Sequence, residues 1–107
     1  AVAGVADPIG GIDVYAVAAA GDVHARVFCP EVAVPEDPAT GSSAAGLGLV
    51  LHARRLLGED GEYVVTQGVE MGRPSRLFGR VDGDVTAVRV AGHVVAVAAG
   101  RIVVPDL

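Results

Sequence analysis

Between Val23 and Cys29 apolar and polar positions alternate: Val23, Ala25 and Val27 interleave with His24, Arg26 and Phe28. A period of two sends one set to each face of a strand. Ile12–Ala19 also reads as a strand, with Val14 and Tyr15 adding β-propensity, and Gly21-Asp22 supplies a turn between the two. The pair therefore predicts a hairpin. Pro30–Pro38 breaks the pattern with Pro30, Pro35 and Pro38 and reads as a restricted loop.

Beyond Thr40 the alternation vanishes. The run to Leu57 is apolar almost all round, with no polar stripe before His52, Arg54 and Arg55. Such a segment predicts a helix buried on every face. Thr40, Gly41 and Ser42 suit its start and Gly58 its stop. Gly46 and Gly48 would each cost about 1 kcal/mol against Ala in an exposed helix, so a second backbone is expected to pack against them. Strands follow at Glu62–Gln67, Arg76–Val81, Val85–Val90, His93–Ala98 and Ile102–Val103, separated by a Gly68–Ser75 loop and an Asp82-Gly83-Asp84 turn. The expected class is α+β, one buried central helix wrapped by a mostly antiparallel sheet.

Composition narrows the function classes. Hydrophobic residues make up 51% of the 107 residues, yet aromatics only 4%, so the core relies on small branched side chains. The net charge is −5 and the basic residues are scattered apart from Arg54-Arg55, which argues against nucleic acid. No apolar run reaches the length of about 20 residues that a membrane span needs. The single Cys29 cannot form an internal disulfide, which fits a reducing, cytoplasmic compartment. His24, His52 and His93 lack ligand spacing, so no metal is expected. The chain starts at Ala1 and soon meets Asp7-Pro8, so residues 1–11 read as a linker or residual interdomain segment. The remainder, 12–107, reads as one domain, and the whole as a piece of something longer.

Candidate chemistry concentrates in Glu36-Asp37-Pro38-Ala39-Thr40-Gly41-Ser42-Ser43. Two carboxylates stand ahead of a glycine-containing turn that opens a helix. Unpaired N–H groups and the positive dipole end make a helix start a ready anion site. Gly41 permits close approach, Ser42 and Ser43 add hydroxyls, and Asp37 is a carboxylate that burial would fit for proton transfer. The plain alternative is that these residues cap the helix and do nothing more.

The run Ala25–Pro30, followed by Pro35-Glu36-Asp37-Pro38-Ala39-Thr40-Gly41-Ser42-Ser43-Ala44, closely resembles the second-half signature of the PhzF-like phenazine-biosynthesis isomerases. Gln67–Ser75 and Val90–Gly100 are similar to later parts of the same pattern. The resemblance implies the C-terminal half of a diaminopimelate-epimerase-like fold, in which two domains, each a curved sheet around a helix, face each other across a cleft. It further implies Asp37 as a catalytic acid, with Thr40, Gly41, Ser42 and Ser43 around the substrate carboxylate. The family chemistry it implies is isomerisation of trans-2,3-dihydro-3-hydroxyanthranilate by proton movement, with no metal or organic cofactor.

Ser43 departs from the Ala or Gly common in that family. The family's principal acid–base glutamate belongs to an N-terminal domain, and neither Glu31 nor Glu36 replaces it. Racemases of the same fold use paired cysteines. Cys29 alone disfavours that chemistry and reads as a small core residue. Arg73 has two readings, as an anion contact or a structural turn residue. Two functions remain open from the residues. One is an isomerase domain completed by an N-terminal half on the same or a separate chain. The other is a non-catalytic homodimeric half-domain that binds a small carboxylate or a protein partner.

Overall fold

In a computed structural model of the chain, residues 10–106 are described. The expected linker therefore lies, up to residue 9, outside the described residues, as does Leu107. The first two strands, β1 (Ile12–Ala19) and β2 (Asp22–Cys29), form the expected antiparallel hairpin. Gly21 takes a positive φ of 75° at their turn, where an added Cβ would press on the backbone of Gly58.

The segment expected to be only a loop contains a short strand, β3 (Val34–Asp37). It pairs antiparallel with the far end of β2, Val27 facing Asp37 and Cys29 facing Val34. Proline misleads here because Pro35 sits on a short, marginal strand that needs few ladder bonds. Arg26 fastens β3 from the side, donating from Nε and Nη2 to both carboxylate oxygens of Glu36 at 3.1 and 2.8 Å.

The chain then crosses through α1 (Gly41–Ala53) to β4 (Glu62–Gln67), which lies parallel to the near end of β2. Parallel neighbours need such a crossover. The antiparallel strands β5 (Ser75–Val81) and β6 (Val88–Ala91) complete an open, mixed sheet of six strands, ordered β1-β2-β4-β5-β6 with β3 beside β2. The class is α+β as expected, but the sheet does not wrap the helix. α1 packs on one face of it. Ala44, Leu47, Gly48 and Leu51 are buried there, a spacing that marks a single helical face. Leu49 and Val50 on the remaining circumference are 46% and 38% exposed. The expectation of burial on every face therefore fails, because the described residues place no second layer over that side.

Tyr63 is the largest side chain of the core formed by α1, β2, β4 and β5, and is 2% exposed. Its hydroxyl donates to the carbonyl of Ala44 at 2.7 Å. Two glycines make room for the ring, Gly48 on α1 and Gly79 directly opposite on β5. The close neighbour of Gly48 is thus an aromatic side chain and not a second backbone. Gly46 meets nothing within 4 Å, so the close-packing expectation fails there.

The final expected strands do not pair among the described residues. From Gly92 to Asp106 the chain carries no helix or strand. Val94, Val97 and Ile102 are about nine-tenths exposed, at 91%, 91% and 90%.

Candidate functional site

Two segments recognised separately in the sequence meet in space. The Asp37–Thr40 loop enters α1, and the Gln67–Ser75 loop leaves β4 and enters β5. Gln67, 1% exposed, reaches across from the end of β4. Its Nε2 donates to the backbone carbonyl of Asp37 at 2.7 Å and to Thr40 Oγ1 at 2.9 Å. Ser75 Oγ donates to the carbonyl of Pro38 at 2.5 Å. Gly68, at φ 80°, lies where any Cβ would meet the carbonyl oxygens of Arg73 and Pro38. The second loop is therefore the scaffold of the first. Gln67 was legible as part of a motif but had no assigned role, since nothing in the string says what a buried amide faces.

Thr40 occupies the N-cap position of α1, with φ −126° and ψ 95°, yet its side chain does not cap the helix. Its Oγ1 donates instead to Asp37 Oδ2 at 2.5 Å. The hydroxyl is thus taken from both sides, by the Gln67 donor and the Asp37 acceptor. The first helical backbone bond runs from Ala44 N–H to the Thr40 carbonyl at 3.0 Å. The N–H groups of Gly41, Ser42 and Ser43 precede it and receive no side-chain cap. Capping as the sole role of this segment does not describe Thr40. Gly41 and Ser42 are exposed, while Asp37, Thr40 and Ser43 are half-buried.

A concavity of about 650 Å³ opens between the helix start and the β1–β2 hairpin, with Thr40, Ser42 and Ser43 on one side and Asp13, Tyr15 and Cys29 on the other. Cys29 is thus a half-buried wall residue, not a core residue. Asp13 had no place in the sequence reading. Its Oδ2 accepts from Ser43 Oγ at 2.6 Å, whereas Oδ1 is buried without a partner. Burial pushes its carboxyl above the usual range, and the Ser43 bond opposes that only in part. The signal in the sequence is an acid on the otherwise apolar inward face of β1, beside Tyr15 and Val17.

The remaining candidates are elsewhere. Glu36 is engaged by Arg26, which holds its carboxyl below the ordinary range. Arg73 is exposed and contributes its backbone N–H, which donates to the Gly68 carbonyl at 2.9 Å. No group of three or more His, Cys, Asp or Glu among the described residues is arranged to hold a metal. Among the described residues no helix is long and apolar enough to cross a membrane.

Among the described residues the single α-helix thus starts without a side-chain cap, its N-cap Thr40 three residues after Asp37, an arrangement with backbone N–H groups that can meet an anion. Comparison with known proteins gives the family. Residues 7–100 match the family described as phenazine biosynthesis-like protein, and the chain belongs to that family. It is 42% identical over 81 residues to a trans-2,3-dihydro-3-hydroxyanthranilate isomerase of Pseudomonas aeruginosa, covering 73% of this chain and 29% of that protein. An isomerase of the same name from Pseudomonas chlororaphis is 43% identical over 84 residues, 75% of this chain and 30% of that protein. An uncharacterized isomerase of Mesorhizobium japonicum is 37% identical over 83 residues, 74% of this chain and 28% of its own length. The chain thus spans about three-tenths of the curated relatives it matches.

Proposed function

We propose that this domain forms one wall of an isomerase site that moves a proton on a small carboxylate-bearing substrate of the dihydroanthranilate type. The observation that carries the reading is the diversion of Thr40: its hydroxyl orients Asp37 and leaves the α1 start open to an anion. In this reading the N–H groups of Gly41, Ser42 and Ser43 and the Ser42 hydroxyl bind the substrate carboxylate, where the helix dipole favours negative charge. Asp37 stands three residues ahead and accepts or returns a proton at its carboxylate, with Thr40 and Gln67 fixing its direction. The chemistry asks for proton carriers only, without metal or organic cofactor.

A second acid–base group is needed for a shift of a proton between two atoms, and the reading places it on a partner half of the same fold, on the same or a separate chain. Two features support a partner. α1 leaves Leu49 and Val50 exposed, and the valine-rich 93–104 segment is uncovered and carries no helix or strand. The same features would suit a second copy of this domain, a homodimer that binds a carboxylate without turnover.

The test is incubation of the intact protein with trans-2,3-dihydro-3-hydroxyanthranilate in deuterated water, following isomerisation and label uptake by NMR. Turnover with label incorporation is expected, falling about 10²–10⁴-fold in Asp37→Asn. Carboxylate binding without turnover in a homodimer would instead support the second reading. Full activity in Asp37→Asn would remove Asp37 from the chemistry.

A further inference from the structure

Asp13 is a carboxylate in a place that disfavours one. It projects from β1 into the concavity at the start of α1, and one of its oxygens is buried without a donor. The other holds Ser43, the third residue of α1 and neighbour of Ser42. We propose that Asp13 is a positioning residue of this site: through Ser43 it couples the binding of a carboxylate at the α1 start to the uptake of one proton. The inference rests on the reading of the helix start as a carboxylate site and adds how that site responds to occupancy.

The argument is one of charge and hydrogen-bond direction. An ionised Asp13 can only accept, so the Ser43 hydroxyl hydrogen is committed to it and Ser43 turns lone pairs toward the cavity. A second carboxylate arriving there meets both those lone pairs and the Asp13 charge. Protonated Asp13 reverses the pair. It donates to Ser43 Oγ, and the Ser43 hydrogen becomes free to donate to the ligand. One proton therefore enters from solvent as the anion binds, and it resides on Asp13. Burial, which already pushes this carboxyl upward, makes the uptake easier.

Few other groups compete for the effect. Tyr15 of β1 and Cys29 of β2 line the same cavity, and α1 turns Ser43, Gly46 and Leu47 toward it. Asp37, at the end of β3, is not among the residues lining this cavity, and its Oδ2 accepts from Thr40. The sign follows from linkage: the anion favours the protonated form, so affinity rises as pH falls toward the Asp13 value.

The experiment is calorimetric titration of the intact protein with anthranilate as probe, between about pH 5.5 and 8 in buffers of different ionisation enthalpy. The wild type is expected to take up protons on binding, its affinity rising by as much as about tenfold per pH unit on acidification. In Asp13→Asn, which keeps an acceptor for Ser43, both the uptake and the slope should largely disappear. In the wild type, NMR of the Asp13 carboxyl should show its midpoint rising when anthranilate is added, a readout that needs no variant to fold. Binding with the same proton uptake in Asp13→Asn, or an unmoved Asp13 midpoint, overturns the proposal and leaves the carboxylate site standing. Absence of anthranilate binding at every pH overturns both.

Discussion

Tyr63 sets the tolerance of the residues around it. Its ring occupies the space that side chains at Gly48 and Gly79 would take, and its hydroxyl is fixed on the Ala44 carbonyl. Two glycines of one helix should therefore respond oppositely to the same change. Gly46→Ala meets open space and is expected to stabilise by about 0.5–1 kcal/mol, the ordinary helix-propensity gain. Gly48→Ala makes the same gain but drives a methyl into the Tyr63 hydroxyl, and overpacking of about 1–3 kcal/mol outweighs it. Urea midpoints of the two variants decide the matter. A gain in both would mean that the Tyr63 ring is free to move aside. Gln67 is the polar counterpart. Gln67→Ala leaves the Asp37 carbonyl and the Thr40 hydroxyl without their buried donor, and a loss of about 1–3 kcal/mol is expected in the same assay. Stability unchanged in Gln67→Ala would mean that the Asp37–Thr40 loop is held by Ser75 alone.

At the scale of elements, what could be read from the string was what local chemistry decides. The β1–β2 hairpin follows from alternation around Gly21, β4 and β5 from short runs bounded by turn signals, and α1 from an apolar run opening after Thr40, although the helix ends at Ala53, ahead of the expected stop at Gly58. The Asp37-to-Ser43 run stood out as a candidate site only through its family resemblance, since the local pattern suits an ordinary helix cap equally well. Three things were hidden. β3 was masked by Pro35, because its pairing depends on Arg26 and Glu36 from elements that the string does not juxtapose. Asp13 joins Ser43 across thirty positions, a contact that only the packing of α1 on the hairpin creates. The burial of α1 was overread. An apolar circumference says that every face wants cover, not that this domain supplies it, and Leu49 and Val50 show the difference.

For the whole molecule, uncovered apolar surface is the feature that most constrains how it works. The 93–104 segment alternates and clusters valines as a strand would, yet its backbone has no ladder among the described residues. Its exposed side chains are large: Val94, Val95 and Val97, then Ile102, Val103 and Val104, all at least 77% exposed. An apolar segment outside any ladder can add as a strand to another sheet once it takes an extended form. The chain spans about three-tenths of its curated relatives, so there is polypeptide in those proteins to receive it. The prediction is that in the intact protein the amides of 93–104 exchange with deuterium slowly, on the order of a hundredfold slower than an unstructured segment. Peptide-level mass spectrometry reads this directly. Val95→Asp together with Val97→Asp should restore fast exchange there while leaving β1, β2 and β4 protected, because those strands form their own ladders. Slow exchange in the wild type and fast exchange in the variant would place the segment on a partner sheet and support a partner half beside this domain. Fast exchange in the wild type would leave the site open on that side, and the case for a second acid–base group from a partner half would lose its structural support.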